Sequence, residues 1–142
     1  LDIPIESEVY TSFGRLLEKS QLVEVPQVFA VLFGQMSFIG NRPLPRKNVK
    51  HLKKKYPNHW NERFNSPSGI TGISQIVGKF ILNSKQRIEL ESLYSKVYCS
   101  GNILKADAYI FFSTIILLLL RDSVAYRSFE SAKKVLLSCL KD

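Results

Sequence analysis

Two segments dense in Gly, Pro, Ser and Thr most constrain how this chain can fold, because glycine and proline interrupt helices. They are residues 34–43 (GQMSFIGNRP) and residues 67–79 (PSGITGISQIVGK). Helices are therefore expected outside these segments. Glycine also lets a backbone approach a ligand closely, and clustered loop N–H groups beside an arginine suit a phosphate. We expect an anion to bind between the two segments.

The positive charge of the chain is concentrated around and between these segments. The 142 residues carry a net charge of +8, and residues 41–87 alone hold eleven Lys or Arg against one acid. Such a patch favours an anionic membrane surface, a nucleotide-linked substrate or nucleic acid, with a solvated helix face as the alternative. We expect nucleic acid not to be the partner, because Tyr56, Trp60 and Phe64 cluster at the end of the patch instead of interleaving with its charges.

The hydrophobic pattern predicts a compact, mainly helical α+β domain over residues 1–142. A short helix or turn is expected over residues 9–20, a buried helix over 26–33, a basic helix over 45–56, and further helices over 85–97, 103–120 and 128–140. Residues 35–45 are expected to form a loop and residues 57–69 to be irregular, with Trp60 and Phe64 as packing anchors. One small strand or hairpin is expected near residues 70–77.

The most apolar stretch is residues 109–120 (YIFFSTIILLLL), in which only Ser113 and Thr114 are clearly polar. A helix that crosses a bilayer needs about 20 apolar residues, so this stretch is too short to span one. Two interpretations stay open: a helix buried in the core, and a helix lying in a membrane interface beside the basic patch.

Few residues carry an obvious chemical signature. Zinc binding is unsupported, because His51 and His59 lie eight residues apart and no Cys-x-x-Cys pair occurs; a P-loop and a dinucleotide fingerprint are also missing. Glu24 lies in an apolar run and needs a helix N-terminus, an arginine or Mg²⁺ as its partner. Arg42 lies in the first Gly-rich segment, where it suits either a phosphate or a carboxylate.

Residues 22–27 read LVEVPQ, residues 34–43 read GQMSFIGNRP, and residues 68–79 read SGITGISQIVGK. In this order they resemble the motifs of the bacterial sugar transferase family. The members of this family are monotopic phosphoglycosyl transferases. The family typically shows LDELPQ, then GDMS, two apolar residues and GPRP, then PG, an apolar residue and TGxxQVxGR. The likeness covers residues 9–120, and beyond the third motif it includes Arg87 and Asp107. Residues 121–142 are left as a C-terminal amphipathic helix.

The resemblance implies an enzyme at the cytoplasmic face of the bacterial inner membrane, with a homo-oligomer as a further expectation. The family moves a sugar 1-phosphate from a UDP-sugar to a polyprenyl phosphate such as undecaprenyl phosphate. UMP is released, and the product begins exopolysaccharide, O-antigen or other glycan assembly. An Asp of an Asp-Glu dyad attacks the β-phosphoryl group, and the Glu helps to hold Mg²⁺.

Carried over by position, the resemblance makes Glu24 the dyad Glu and metal ligand, and Arg42 a contact to the nucleotide's phosphates. It also assigns the substrate pocket to a larger set: Gly69, Thr71, Gly72, Gln75, Lys79 and Arg87.

The sequence also departs from the family pattern. Val23 occupies the position of the dyad Asp, and a valine cannot attack phosphorus. Asn41 stands where the family has proline, and the family's N-terminal membrane helix has no counterpart in these residues. A catalytically inactive relative that binds UDP-sugar, lipid or a partner glycosyltransferase is therefore the alternative function.

Overall fold

A computed structural model describes residues 25–44, 46–78, 81–120 and 127–141. The chain divides into two compact units, residues 1–36 and residues 37–142, which are described separately. The helix predicted over residues 9–20 lies outside the described residues.

In the first unit, helix α1 comprises Val25–Leu32. It ends at Gly34, whose φ of +70° suits glycine, and the N–H of Gln35 donates to the carbonyl of Ala30 (2.8 Å). This left-handed turn closes the free carbonyls of the last helical turn. The predicted helix is confirmed, but its predicted burial is wrong, since Val28, Phe29 and Leu32 are each at least half exposed.

The second unit contains a two-stranded parallel sheet. Strand β1 (Ser37–Ile39) pairs with β2 (Gly69–Thr71), and Ser37 lies opposite Gly69. The crossover between them holds α2 (Arg46–Lys55), α3 (Pro57–Trp60) and a 3-10 helix (Glu62–Asn65).

The sheet confirms the predicted strand and corrects its surroundings. Its partner is β1, inside the segment predicted as a loop, so the structure contains a parallel pair and not a hairpin. Residues Ile73–Val77 form helix α4. Ile73, Ile76 and Val77 are all buried because they share one face at helical spacing, which the apparent alternation of residues 70–76 concealed.

Three longer helices complete the second unit, close to their predicted bounds: α5 (Ser84–Ser100), α6 (Ile103–Leu119) and α7 (Phe129–Cys139). Asn83 caps α5 by accepting a hydrogen bond from the N–H of Gln86, and Gly101 ends it with a φ of +84°.

The main core lies where α4, α5, α6 and α7 meet. It contains the following buried residues: Ile73, Ile76, Val77, Leu82, Leu90, Tyr94, Val97, Ala106, Ile110, Ala132, Leu136 and Cys139. A smaller cluster joins Leu52, Trp60 and Ile88. Trp60 is therefore the packing anchor that the sequence predicted. Phe64 is 55% exposed, although its ring contacts Trp60 edge-on at 4.9 Å between centroids.

Candidate functional site

The two Gly-rich segments meet in a joint made of backbone, formed by residues 39–41 and residues 67–72. A Cβ placed on Gly40 would lie 2.8 Å from the nitrogen of Gly69, and one placed on Gly69 would lie 2.6 Å from the Cα of Gly40. A Cβ on Gly72 would overlap the carbonyl of Gly40. Glycine is required at these three positions because the neighbouring strand occupies the space of a side chain.

Backbone hydrogen bonds hold this joint together. The N–H of Gly40 donates to the carbonyl of Thr71 (2.9 Å), that of Asn41 to Pro67 (3.1 Å) and that of Gly69 to Asn41 (3.0 Å). These three N–H groups are therefore not available to a phosphate. At Gly40 and Gly69 the N–H groups and the missing side chains serve the contact between the segments, and the predicted anion site between the segments stays a prediction.

Arg42 follows the joint directly. Its carbonyl accepts a hydrogen bond from Nη2 of Arg63, and the residue is half-buried. The bridge between Asn41 and Ser68 fixes the preceding residue against β2. These two contacts restrain the backbone of Arg42, from which its guanidinium extends. The predicted contact of Arg42 with phosphate stays a prediction.

A buried polar network lies beneath the joint. Nε of Arg63 donates to Oε2 of Glu91, and the two side chains are 3% and 1% exposed. Oε1 of the same carboxylate accepts a hydrogen bond from Ser74 Oγ at 2.9 Å. Both carboxylate oxygens are therefore satisfied, as a charge removed from water requires. The network links the 3-10 helix, α4 and α5 to the loop that carries Arg42.

Asn41 joins this network through its side chain. Its Nδ2 lies 2.9–3.0 Å from four acceptors: the carbonyls of Arg63 and Glu91 and the hydroxyls of Ser66 and Ser95. The residue is 3% exposed. Asn41 is consequently held by its backbone in the joint and by its amide in the network.

The other described residues predicted to line the substrate pocket lie at two places in the fold. Thr71 is buried, and its hydroxyl contacts that of Thr114 on α6 at 2.8 Å; Gln75 donates from Nε2 to the carbonyl of Ile70 (2.6 Å). Gly69, Thr71, Gly72 and Gln75 therefore all lie at or beside the joint, whereas Arg87 lies near the start of α5. Their binding roles stay predictions.

Three positions important to the sequence interpretation lie outside the described residues: Val23, Glu24 and Lys79. Within residues 25–44, 46–78, 81–120 and 127–141, no group of three His, Cys, Asp or Glu side chains is placed to hold a metal ion.

A second buried polar contact lies between α5 and α6. Tyr94 Oη donates to Oδ1 of Asp107 at 2.8 Å. Burial raises the pKa of the Asp107 carboxyl above its ordinary value, and the hydrogen bond from Tyr94 opposes that rise. Burial and the neighbouring carboxylate also raise the pKa of Tyr94, so the phenol stays neutral.

Sequence reasoning missed Arg63 and Glu91, although a signal for Glu91 was present. Glu91 lies three residues after Ile88 and three before Tyr94, on the apolar stripe of α5. A carboxylate on the buried face of a helix needs a charged partner. Its partner is far away in sequence, so the pattern indicates the need for a partner without identifying Arg63.

Comparison with known proteins agrees with the motifs of the joint. The family model described as bacterial sugar transferase matches residues 5–121. An undecaprenyl-phosphate galactose phosphotransferase of Salmonella typhimurium is 32% identical over 112 residues, which is 79% of this chain and 22% of that protein. A UDP-glucose:undecaprenyl-phosphate glucose-1-phosphate transferase of Xanthomonas campestris pv. campestris is 43% identical over 68 residues, which is 48% of this chain and 14% of that protein.

A third relative names a different sugar. The UDP-N-acetylgalactosamine-undecaprenyl-phosphate N-acetylgalactosaminephosphotransferase of Aeromonas hydrophila is 33% identical over 106 residues, which is 74% of this chain and 24% of that protein. The chain therefore spans less than a quarter of the length of each of these three relatives. Because the family match extends over most of the chain, the protein belongs to the bacterial sugar transferase family.

Proposed function

We propose that this chain acts in the transfer of a sugar 1-phosphate from a UDP-sugar to a polyprenyl phosphate, with release of UMP, at the start of exopolysaccharide or O-antigen assembly. The observation that carries the proposal is the joint, in which two separate family motifs meet and Arg42 follows directly. The relatives' names support the reaction, since each contains undecaprenyl phosphate, but they contain different sugars.

In this proposal Arg42 binds the phosphates of the nucleotide, because a guanidinium matches phosphate geometry with two parallel donors. Thr71 in the joint and Gln75 beside it are assigned to the substrate together with Gly69, Gly72, Lys79 and Arg87. Glu24 is the proposed ligand for Mg²⁺, which proteins often bind through one or two carboxylates together with substrate phosphates. When bound, the metal would offset charge on the phosphoryl groups.

The apolar face of α6 supports a place at a membrane surface. The helix buries Ala106, Ile110 and Ser113, while Phe112 and Leu118 are 62% and 67% exposed. Of the two interpretations for this stretch, the exposed side chains favour a helix in a membrane interface. Among the described residues, no helix is long and apolar enough to cross a bilayer. We propose the cytoplasmic face of the inner membrane, where α6 contacts acyl chains and the lysines of α2 contact anionic headgroups.

A second function is favoured by one residue. Val23 stands at the position of the nucleophilic Asp, so the chain could bind the same ligands without turning them over. In that case the joint and Arg42 would serve a protein that holds UDP-sugar, lipid or a partner glycosyltransferase.

The test is UMP release from a panel of UDP-sugars in the presence of undecaprenyl phosphate and Mg²⁺. The protein is compared with Val23→Asp and with Val23→Asn, which matches Asp in shape but cannot act as a nucleophile. Release by the unaltered protein supports the transferase. Release by the Asp variant alone indicates a binding protein built on a transferase scaffold. If none of the three proteins releases UMP or binds a UDP-sugar, the transferase is wrong and so is a UDP-sugar-binding role.

A further inference from the structure

We propose that Asn41, Arg63 and Glu91 are positioning residues, whose network fixes Arg42 in the orientation that binds nucleotide phosphate. The inference rests on the proposed function, because it concerns how the site for a UDP-sugar is held in shape. None of the three side chains is placed to touch the ligand itself, since each is at most 3% exposed.

The first step is the link from the carboxylate to Arg42. Glu91 uses one oxygen for Ser74 and the other for Nε of Arg63. With Nε engaged there, Nη2 of the same guanidinium reaches the carbonyl of Arg42. A guanidinium is planar and rigid, so fixing one edge on Glu91 also fixes the donor that holds Arg42.

The second step is the clamp on the other side of Arg42. Asn41 precedes it, and the Asn41 backbone exchanges hydrogen bonds with Pro67 and Gly69 across the joint. Its Nδ2 points at four acceptors, two of which are carbonyls of Arg63 and Glu91. The backbone of Arg42 is therefore restrained at the preceding residue and at its own carbonyl. Arg63 and Glu91 take part in both restraints. Their side-chain ion pair holds the donor to the Arg42 carbonyl, and their backbone carbonyls lie at the Asn41 amide.

The third step concerns the cost of this arrangement. Oδ1 of Asn41 is buried and has no hydrogen-bond partner within the described part of the chain. An unpaired buried acceptor lowers stability, so stability alone is a poor reason for an asparagine here. Restraining a binding residue in advance, however, reduces the entropy lost when the ligand binds. The network accordingly serves the placement of Arg42.

The experiment is a double-mutant cycle with UDP as the probe, read out as its dissociation constant. Asn41→Ala removes the amide, and Glu91→Gln removes the charge that holds Arg63; each is made alone and together with Arg42→Ala. Made alone, Asn41→Ala and Glu91→Gln should each weaken UDP binding about tenfold, which corresponds to the loss of one well-placed interaction. Neither should weaken it further in the Arg42→Ala protein, because both act through Arg42.

Ser92→Ala is the matched control. Ser92 is 2% exposed and donates to the Glu62 carboxylate, so it too joins the 3-10 helix to α5, but through Glu62 and not through the Arg63–Glu91 pair. It should leave UDP affinity unchanged. If Glu91→Gln does not fold, as shown by its circular dichroism and thermal unfolding, Asn41→Ala and Ser74→Ala supply the same test.

Three results would overturn the inference. Asn41→Ala could leave UDP affinity unchanged, or it could weaken binding equally with and without Arg42, which would indicate general damage to the fold. Ser92→Ala could weaken binding as strongly as Asn41→Ala. Absence of UDP binding by the unaltered protein is a different result, because it contradicts the proposed function as well.

Discussion

Gly40 and Gly69 touch through their backbones, with no side chain between them. The N–H of Gly69 donates to the carbonyl of Asn41, next to Gly40, and a Cβ on Gly69 would lie 2.6 Å from the Cα of Gly40. The glycines of the two motifs therefore serve first to bring two distant parts of the chain together. Any ligand site here depends on that contact.

The first prediction concerns Gly69→Ala, which should lower the free energy of unfolding by about 3 kcal/mol, the upper end for an overpacked site. The added methyl overlaps backbone atoms of Gly40, which cannot move aside as a flexible side chain would. Denaturant unfolding followed by circular dichroism measures the change.

Gly101→Ala is the control for that substitution. Gly101 has a positive φ but nothing within 4 Å of a Cβ, so it should lose only about 1 kcal/mol from the left-handed conformation. Equal losses at the two positions would show that the tight contact between the segments is not what requires glycine at position 69.

The long helices of this fold could be predicted from sequence because their signals are local. For α5, apolar residues recur at helical spacing, Asn83 begins the helix, and Gly101 ends it. Strand β1 could not be predicted in this way. It has three residues, in a segment rich in glycine, and its stabilising partner Gly69 lies 32 residues away from Ser37. The local pattern of such a segment predicts a loop, and the segment forms a strand only because it pairs with β2.

The second prediction concerns pH and Asp107. Because burial raises the pKa of this carboxyl, the folded protein holds the proton more tightly than the unfolded chain does. Its contribution to stability is fully present below the unfolded pKa of about 4 and is lost as the pH rises through the folded pKa. Asp107→Asn should remove this loss, since the amide keeps an acceptor for Tyr94 and does not ionise.

The measurement for Asp107 is the free energy of unfolding of both proteins from pH 3.5 to pH 7. The advantage of Asp107→Asn over the unaltered protein should grow as the pH rises across this range. Glu62 changes stability in the opposite direction, because its hydrogen bond from Ser92 lowers the pKa, but it is common to both proteins and cancels. A difference that is constant with pH would contradict the prediction.

The third prediction concerns the exposed face of α6. Phe112→Glu and Leu118→Glu should each weaken binding to vesicles of phosphatidylglycerol and phosphatidylethanolamine at least about tenfold, because each removes one large side chain from the apolar contact. Co-sedimentation over a range of lipid concentrations measures the effect.

Phe64→Glu is the matched control for the vesicle experiment, since Phe64 is 55% exposed but lies on the 3-10 helix. It should bind vesicles as the unaltered protein does. If all three variants lose binding equally, the loss follows from added negative charge and the assignment of α6 to the membrane is wrong.

The candidate site was only partly predictable for a related reason. Arg42 and the glycines of the joint belong to motifs that can be read along the chain. Arg63 and Glu91 lie 28 residues apart and meet only in the folded protein. An acid on an apolar helix face indicates that a partner exists, but only the tertiary structure identifies the partner and its link to Arg42.

The most direct test of the account is to titrate UDP into the isotope-labelled protein and follow the backbone amide resonances. We predict that the largest shifts fall in residues 40–42 and 69–75, on both sides of the joint, and that Arg42→Ala abolishes them. Shifts confined to the basic helix α2, or to the lysines of α7, would contradict the account, because they would place the anion away from the joint and Arg42.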